Sequence, residues 1–433
     1  MSFIPQEELK SLEEQAAFQD EKRKALLAWL GRRSPFYKKL FAGLQLDPLQ
    51  PDILNYWNRI PTTSKDDLQN HNFDFLCIPR NEIAEYTASS GTLGRPVTIP
   101  LSANDLQRLA YNEYLSFCSM GMEPGQMLQL MLTLDRQFMA GMAYFSGLQK
   151  LGAAAIRTGP GLPQMQWETI QRLQPDGLVA VPGFLLKMIN YAQEQHIDLK
   201  ACKVNKALVI GESIRNEHLE PGALARQITS EWDIKLYGTY ASTEMQTAFT
   251  ECHAGAGGHH HPELIYAELL DDAGDPVEAG MPGEVTVSTF GIEAMPLLRY
   301  RTGDICRAYM EPCSCGRKTL RLGPVLGRKK QMIKYKGTTL YPPAVFDLLN
   351  AVRIIEDYVV EVSTDEIGQD RIILHLCSAV SPEECSRLLY PALQSRLRVV
   401  PEIRFHSSEQ ILHMQYPDAG RKPLRFIDKR KQV

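Results

Sequence analysis

The sequence has no unbroken long apolar run and no strong excess of charge of one sign. The first stretch, M-S-F-I-P-Q-E-E-L-K, becomes acidic and has no apolar segment suited to secretion, so no export signal is expected. The apolar run over residues 138–156 is interrupted by Gln149 and Lys150, so no membrane span is expected. A formal net charge of -4 gives no reason to expect nucleic acid or a membrane surface as a partner. Nine cysteines in 433 residues without an export signal are expected to be reduced thiols. We therefore expect a cytoplasmic globular protein.

The remaining patterns predict an α/β fold. The first forty residues carry apolar side chains at helical spacing and predict one or two helices that end near Ser34 and Pro35. Short apolar segments then alternate with helical stretches, at residues 127–134, 153–157, 177–181, 207–210 and 233–237. This alternation is typical of a mostly parallel sheet covered by helices. The β-rich segments after residue 262 predict an additional small β unit. We predict a large N-terminal domain over residues 1–326 and a small α+β C-terminal domain over residues 327–433.

A stretch rich in glycine and hydroxyl residues, T-A-S-S-G-T-L-G-R-P, covers residues 87–96. Glycines let the backbone approach a phosphate closely, and N–H groups with Ser and Thr hydroxyls supply donors for its oxygens. It is not a Walker loop, because no Lys-Ser or Lys-Thr follows Gly94. Taken alone, a stretch of this composition is more often a surface turn. Its candidate nucleotide-binding residues are Ser89, Ser90, Gly91, Thr92 and Gly94.

A second candidate nucleotide-binding segment, Y-A-S-T-E, covers residues 240–244. A tyrosine ring can stack on adenine, a threonine can hydrogen-bond a phosphate, and a glutamate can hold Mg²⁺ between phosphates. The turn G-E-S, residues 211–213, follows an apolar strand, and a ligand there would lie at the carboxyl ends of parallel strands. Alone, the tyrosine would be a half-buried strand-end aromatic and the glutamate a solvated carboxylate. The candidates are Gly211, Glu212, Ser213, Tyr240, Ala241 and Ser242 for binding, and Thr243 and Glu244 for catalysis.

The most specific motif is P-L-L-R-Y-R-T-G-D, residues 296–304. A carboxylate has two oxygens that can accept hydrogen bonds from a diol, although a turn capped by Asp304 would be preferred for T-G-D alone. Together with the two stretches above, in the same order, this motif resembles the phenylacetate–CoA ligase family of the acyl-adenylate-forming superfamily. The resemblance spans nearly the whole chain and assigns Asp304 to both ribose hydroxyls of ATP.

The resemblance also implies a hinge between two domains. The sequence G-R-K-K, residues 327–330, stands where the family has its hinge. This places Arg328 near the ribose and makes Lys330 the hinge of a mobile C-terminal domain. On chemistry alone, the same residues would be a solvated charged turn.

A further match implies the catalytic lysine. The stretch G-R-K-P-L-R-F-I-D, residues 420–428, resembles the closing sequence of the family. The alignment assigns Lys422 to the lysine that stabilises charge on the α-phosphate during adenylation. A one-residue gap in the alignment would give this role to Arg421, and a basic tail is the simpler explanation of any lysine in this stretch.

Two closely spaced thiols, Cys313 and Cys315, are too close in sequence for an easy disulfide and suit one soft or borderline cation. Cys252 and a histidine cluster upstream can complete a Cys₃His tetrahedral site. The pattern of the resembling family points to Cys252, His260, Cys313 and Cys315, with His259 as the close alternative. Unconnected reduced thiols and a surface histidine run are the other interpretation. We expect any metal bound by these residues to be a structural zinc ion.

The function implied by the resemblance is that of an AMP-forming acyl-CoA or aryl-CoA ligase. ATP would convert a carboxylic acid to an acyl-adenylate, with Mg²⁺ as cofactor, and coenzyme A would accept the acyl group. Phenylacetate is suggested by analogy alone, with residues 138–141 and 182–184 as candidates for the acyl pocket. One alternative is adenylation with another acceptor, either a cofactor that takes AMP or a carrier protein. Another is a non-catalytic nucleotide or acyl sensor, because Leu93 and Ala241 depart from the motifs. The sequence leaves a homodimer open.

Overall fold

The computed structural model describes residues 3–89, 96–335, 338–364, 370–397, 399–416 and 423–430. The chain forms two compact units. The first comprises Met1–Glu220, Ala225–Thr302 and Cys306–Pro324, and the second comprises Pro221–Leu224, Gly303–Ile305 and Val325–Val433. Within the described ranges, no helix is both long enough and apolar enough to cross a bilayer.

Both units contain helices and strands. The helices are α1 (Leu12–Arg33), α2 (Pro35–Leu44), α3 (Lys65–His71), α4 (Ala103–Ser119), α5 (Met139–Leu151), α6 (Pro163–Leu173), α7 (Pro182–Glu194), α8 (Ala223–Glu231), α9 (Pro342–Ala351), α10 (Pro382–Ala392) and α11 (Ser408–Gln415). The strands are β1 (Ile83–Ala88), β2 (Thr98–Ser102), β3 (Met127–Leu130), β4 (Ala154–Arg157), β5 (Gly177–Ala180), β6 (Lys206–Val209), β7 (Lys235–Ser242), β8 (Thr247–Glu251), β9 (Gly258–His259), β10 (Ile265–Leu270), β11 (Gly283–Thr289), β12 (Tyr300–Cys306), β13 (Ala308–Tyr309), β14 (Arg321–Leu322), β15 (Gly327–Arg328), β16 (Ile333–Tyr335), β17 (Thr338–Leu340), β18 (Ile355–Thr364), β19 (Asp370–Ser378), β20 (Glu402–Phe405) and β21 (Phe426–Asp428).

A mostly parallel sheet forms the centre of the first unit, in the strand order β13-β14-β9-β8-β7-β6-β5-β3-β4. The strands from β4 to β7 in this order all pair in parallel. Helices α5 to α8 connect them, because parallel strands need a crossover connection. Strands β8, β9, β14 and β13 extend the sheet, in that order, with antiparallel pairs. The predicted α/β class is confirmed, and the carboxyl ends of β3, β5, β6 and β7 lie at one edge of the sheet.

Helices α4 and α5 cover this sheet with a continuous apolar core. Its fully buried members include Phe117, Leu128, Leu130, Leu148, Val179 and Leu208. Burial of each such side chain stabilises the fold by about 1.5–3 kcal/mol. Helix α4 begins at a capping box in which Ser102 and Asp105 exchange hydrogen bonds. The sheet edge that carries the candidate site is therefore held by a well-packed layer.

The first unit also contains two antiparallel strand pairs outside the large sheet. Strands β1 and β2 pair around the predicted phosphate loop. Strands β10 and β11 pair over their whole length, from Ile265 opposite Thr289 to Leu270 opposite Glu284. The strands predicted after residue 262 are thus present.

The second unit has its own sheet and core. Its four strands lie in the order β20-β19-β18-β21, with an antiparallel pair at the centre and a parallel pair on each side. Helices α9 and α10 pack on this sheet around a core that includes Val345, Leu349, Val360, Leu374 and Leu389. The predicted α+β character of the C-terminal part agrees with this arrangement.

Candidate active site and metal centre

The turn after β6 lies at the carboxyl edge of the sheet. Gly211 follows the strand with φ of 81°, a left-handed conformation that favours glycine. Glu212 Oε2 accepts a hydrogen bond from Gly183 N at 2.7 Å, at the start of α7 and just after β5. Ser213 Oγ donates to Arg215 O at 2.9 Å. The loops after two neighbouring strands are therefore joined, and the Glu212 carboxylate satisfies a donor at the helix start.

The base of the predicted phosphate loop meets the same edge. Ser89 N donates to Val97 O at 2.9 Å, and Ala88 N donates to Gln137 O at 3.0 Å in the segment after β3. The Ser89 hydroxyl accepts from Val97 N at 3.0 Å, so it closes the hairpin. Ser90, Gly91, Thr92 and Gly94 lie outside the described residues.

The segment Y-A-S-T-E, residues 240–244, begins in the last three residues of β7. This strand extends further along the chain than the predicted strand at residues 233–237. Tyr240 is half-buried, and its hydroxyl donates to Thr302 Oγ1 at 3.4 Å. Ala241 is exposed, and Ser242 Oγ accepts from Met245 N at 3.3 Å. The chain then turns into the antiparallel strand β8. The motif therefore lies where the parallel part of the sheet ends.

Glu244 lies in that turn and is 7% exposed. Its carboxylate forms an ion pair with Lys65, with 3.3 Å between Nζ and Oε1. Lys65 is the first residue of α3, which is capped by Ser64, and Thr243 beside the glutamate is half-buried. A buried carboxylate requires such a partner. No motif or spacing in the sequence indicates this lysine.

The predicted ribose aspartate pairs with the predicted ribose arginine in the second unit. Asp304 is 7% exposed, and its Oδ1 accepts from Arg328 Nε at 3.0 Å. The two residues are opposite each other in the pairing of β12 with β15. Lys330 lies in a short 3₁₀ turn, and its carbonyl accepts from the Arg430 guanidinium at 3.3 Å. Lys422 lies outside the described residues.

Four of the predicted metal ligands converge in the first unit. The ligand atoms of Cys252, His259, Cys313 and Cys315 all lie within 4.8 Å of one another. The sulfurs of Cys252 and Cys313 are 3.6 Å apart, and Cys315 Sγ is 3.5 Å from His259 Nε2. Tetrahedral zinc bonds imply separations of about 3.8 Å between two sulfurs and about 3.5 Å between sulfur and nitrogen. The donor set and its spacing fit one zinc ion.

The prediction that His260 is the fourth ligand is wrong in this geometry. His260 Nε2 lies 2.6 Å from Ile265 O, and burial lowers the pKa of this imidazole to about 4. His259 lies in β9, opposite Arg321 and Thr250, which directs its side chain to the thiols. Successive side chains of a strand point to opposite faces, so only one of two adjacent histidines can reach the cluster.

The electrostatics favour thiolates at Cys313 and Cys315, whereas the hydrogen bond with Cys315 and burial raise the pKa of Cys252. A hydrogen bond from Cys252 is the first cause that lowers the pKa of Cys315, and His259 and Arg317 add to it. Burial raises the pKa of Cys313, but the hydrogen bond with His259, a backbone hydrogen bond at Cys315 and the charge of His259 together outweigh it, so the pKa is lowered. Burial lowers the pKa of His259, and hydrogen bonds with the thiols reverse the direction. Thiolates are the form of cysteine that binds metal.

A buried ion network links the N-terminal segment to this cluster. Glu8 is fully buried and accepts from Arg317 Nε at 2.5 Å, while its other oxygen lies 2.5 Å from His261 Nδ1. Arg317 also contacts Cys315 Sγ at 3.5 Å. Burial raises the pKa of Glu8, but His261 and Arg317 outweigh it and hold the carboxyl below its usual range. The network contacts the metal-ligand cluster through Arg317 and Cys315. It was not predicted from the sequence.

Comparison with known proteins identifies the family. A sequence profile of the family "AMP-binding enzyme" matches residues 48–294. The phenylacetate-coenzyme A ligase of Thermus thermophilus is 30% identical over 368 residues, which cover 84% of this chain and 81% of that protein. The phenylacetate-coenzyme A ligase of Escherichia coli is 25% identical over 345 residues, 77% of this chain and 76% of that protein.

A solved structure shares the fold. The crystal structure of a 2-hydroxyisobutyryl-CoA ligase in the postadenylation state matches with a TM-score of 0.84 and 20% identity, over 99% of this chain and 94% of that chain. The class defined by these findings is that of the AMP-binding enzymes. Within this class, the chain belongs to the phenylacetate-coenzyme A ligase family.

Proposed function

We propose that this protein activates a carboxylic acid with ATP and transfers the acyl group from the acyl-adenylate to coenzyme A. The observation that carries the proposal is the meeting of residues 87–89, 211–213 and 240–244 at one edge of the parallel sheet. Open α/β sheets bind ligands at this edge. Membership of the phenylacetate-coenzyme A ligase family supports the same chemistry.

In the first half-reaction, a carboxylate oxygen attacks the α-phosphorus of ATP. A new oxygen–phosphorus bond forms as the bond to the leaving pyrophosphate breaks. We assign Tyr240 to adenine, Thr243 to a phosphate, Asp304 to the ribose and Lys422 to the charge that develops on the α-phosphate. Glu244 fits Mg²⁺, because a carboxylate oxygen is the ligand type that this ion prefers, and the ion would neutralise phosphate charge.

In the second half-reaction, the thiol of coenzyme A attacks the acyl carbonyl carbon and AMP leaves, while the thiol proton passes to solvent. We propose that residues 327–433 move between the two half-reactions, with Lys330 as the hinge. The family resemblance of the sequence G-R-K-K supports this, as does the second compact unit that includes Val325–Val433.

The acid is proposed to be aromatic, because four relatives are named phenylacetate-coenzyme A ligases. The proposed acyl pocket consists of residues 138–141 and 182–184, at the carboxyl ends of β3 and β5. Phe138 packs partly buried against the core of the sheet, so an apolar wall is present. Phenylacetate is therefore the first acid to test.

The experiment is a panel of carboxylic acids assayed for AMP formation with and without coenzyme A. ATP–pyrophosphate exchange with at least one acid, and AMP formation that requires coenzyme A, are expected. Exchange without an effect of coenzyme A would instead indicate another acceptor. Absence of exchange with every acid, alongside measurable ATP binding, would favour a non-catalytic sensor.

Two neighbouring variants test the catalytic lysine. Lys422→Ala is expected to reduce ATP–pyrophosphate exchange by about 100-fold, the size of effect typical for loss of one charge-stabilising group. Arg421→Ala is the matched control, because it removes an adjacent positive charge, and exchange should stay within about threefold of wild type. The reverse ranking would assign the role to Arg421.

We also propose a structural zinc ion bound by Cys252, His259, Cys313 and Cys315. The spacing of the four ligand atoms and the stabilised thiolates support it. All four positions are taken by protein ligands, which is typical of a structural site. Because the site needs reduced thiols, it also supports a cytoplasmic location.

Metal analysis of the purified protein tests this site. One zinc ion per chain is expected by elemental analysis, and Cys313→Ser should lose it together with thermal stability. Cys202→Ser is the control, since Cys202 is half-buried and its thiol donates to Leu199 O instead. Wild-type protein without zinc after expression in zinc-supplemented medium would refute the assignment.

A further inference from the structure

We propose that Lys65 is a second cationic group of the nucleotide site and binds the polyphosphate of ATP. The inference rests on the proposed function, because it assumes that Glu244 faces bound ATP. Its starting observation is the 3.3 Å ion pair between Lys65 Nζ and Glu244 Oε1. No motif that led to the nucleotide site includes this lysine.

The backbone before Lys65 is fixed to a second part of the site. Thr63 N donates to Arg299 O at 3.0 Å, and Arg301 N donates to Thr63 O at 2.8 Å. The Thr63 hydroxyl donates to Leu298 O at 3.0 Å, and Thr63 is 3% exposed. These bonds hold the start of α3 against the segment of the P-L-L-R-Y-R motif. The lysine is therefore presented from a rigid position, as a binding group requires.

The exposure of the pair indicates that the lysine can change partners. The Glu244 side chain is 9% exposed, whereas the Lys65 side chain is 31% exposed. The Glu244 carboxylate is thus buried in the protein, and the Lys65 ammonium lies at the boundary with solvent, where a ligand can reach it. A lysine ammonium is a point charge with three donors on a flexible stem, which suits phosphate oxygens.

The charges explain why such an exchange would occur on binding. In the free protein, Lys65 neutralises a carboxylate that would otherwise be buried and unpaired. A divalent cation held by Glu244 would repel the ammonium, and phosphate oxygens would be the nearest anionic partners. The lysine would then contact the polyphosphate through side-chain rotation alone.

A purely structural ion pair makes a different prediction. In that case, loss of Lys65 would weaken the fold around Glu244 and affect all nucleotides alike. A polyphosphate contact instead affects ligands according to their phosphate number. AMP and ATP share adenine, ribose and the α-phosphate, so comparing them isolates the remaining phosphates.

The experiment measures binding by titration calorimetry on the full chain, with Lys65→Met, Lys65→Arg and wild type. The ligands are MgATP, magnesium pyrophosphate and AMP. Lys65→Met is expected to weaken MgATP and pyrophosphate binding by about 10- to 100-fold, the range for loss of a charged hydrogen bond. AMP affinity should stay within about twofold, and Lys65→Arg should recover part of the MgATP affinity.

Lys24→Met is the matched control, because Lys24 pairs with Glu21 on the exposed side of α1. It should bind all three ligands as wild type does. Equal MgATP affinity in wild type and Lys65→Met would overturn the assignment. So would equal weakening of AMP and MgATP with a lowered melting temperature. Failure of the proposed function would be detected in a separate assay, in which no coenzyme A-dependent AMP formation would be observed.

Discussion

Replacement of Asp304 by Asn tests the ribose assignment with little disturbance of the fold. Asn keeps the shape and one acceptor oxygen but removes the negative charge. Asp304 accepts from Arg328 Nε at 3.0 Å, and the Arg328 side chain is 49% exposed. Because the arginine can turn to water, loss of the pair should cost at most about 1 kcal/mol. For a chain of this size, the melting temperature should fall by about 2 °C or less.

The expected effect on ATP is larger than the effect on stability. A hydrogen bond to a charged group contributes about 1.5–3 kcal/mol. The Asn side chain has one acceptor oxygen, so it can replace only part of the hydrogen bonding between the Asp304 carboxylate and the two ribose hydroxyls. A net loss of about 2–3 kcal/mol raises KM for ATP by about 30- to 150-fold. The variant should therefore separate nucleotide affinity from folding.

The assay compares ATP with 2′-deoxy-ATP in wild type and Asp304→Asn. Wild type should prefer ATP in kcat/KM, and the variant should lose most of this preference, because the carboxylate and the 2′-hydroxyl contribute through the same contact. The reasoning is refuted if the variant keeps the full preference for ATP. A fall of more than about 5 °C in melting temperature would indicate that Asp304 mainly supports the fold.

Three further changes have defined outcomes. Lys330→Pro restricts the proposed hinge, so it should slow AMP formation that depends on coenzyme A by more than about tenfold. ATP–pyrophosphate exchange should stay nearly unchanged, and equal losses in both assays would contradict a hinge. Burial raises the pKa of Glu113 from 4.5 to about 8, so the folded protein holds a proton that the unfolded chain releases, and stability falls as pH rises through this window. Glu113→Gln should be more stable than wild type by a few kcal/mol at pH 8 and similar at pH 4.5, as measured by urea unfolding. Gly141→Ala places a Cβ 2.1 Å from Thr133 O and should destabilise by about 1–3 kcal/mol, whereas Gly43→Ala, which meets nothing within 4 Å, should not.

The sequence predicted the parallel sheet well because buried parallel strands are continuous apolar runs. The predicted segments at 177–181 and 207–210 overlap β5 and β6 almost completely. The helix boundary near Ser34 is also confirmed. Ser34 ends α1 and caps α2, and Pro35 takes the first position of that helix. These features depend on local pattern, which a single sequence contains.

Features set by distant contacts were missed or misassigned. The choice of His259 over His260 depends on the pairing of β9 with β8 and β14, and a shift of one residue would exchange the two side chains. Lys65 reaches Glu244 through tertiary packing, with no sequence spacing that connects them. Helix α11 was also missed, because a short helix with two buried residues has little apolar periodicity.

The burial of Glu8 has a consequence for synthesis on the ribosome. Its partner Arg317 is 309 residues further along the chain. At about 5–20 residues per second, the N-terminal segment waits roughly 15–60 s before the arginine is made. Until then, a carboxylate that must be buried has no guanidinium to pair with, so the segment cannot dock stably. Chaperone-free translation should therefore leave the first helices exposed to proteases until most of the first unit has been synthesised.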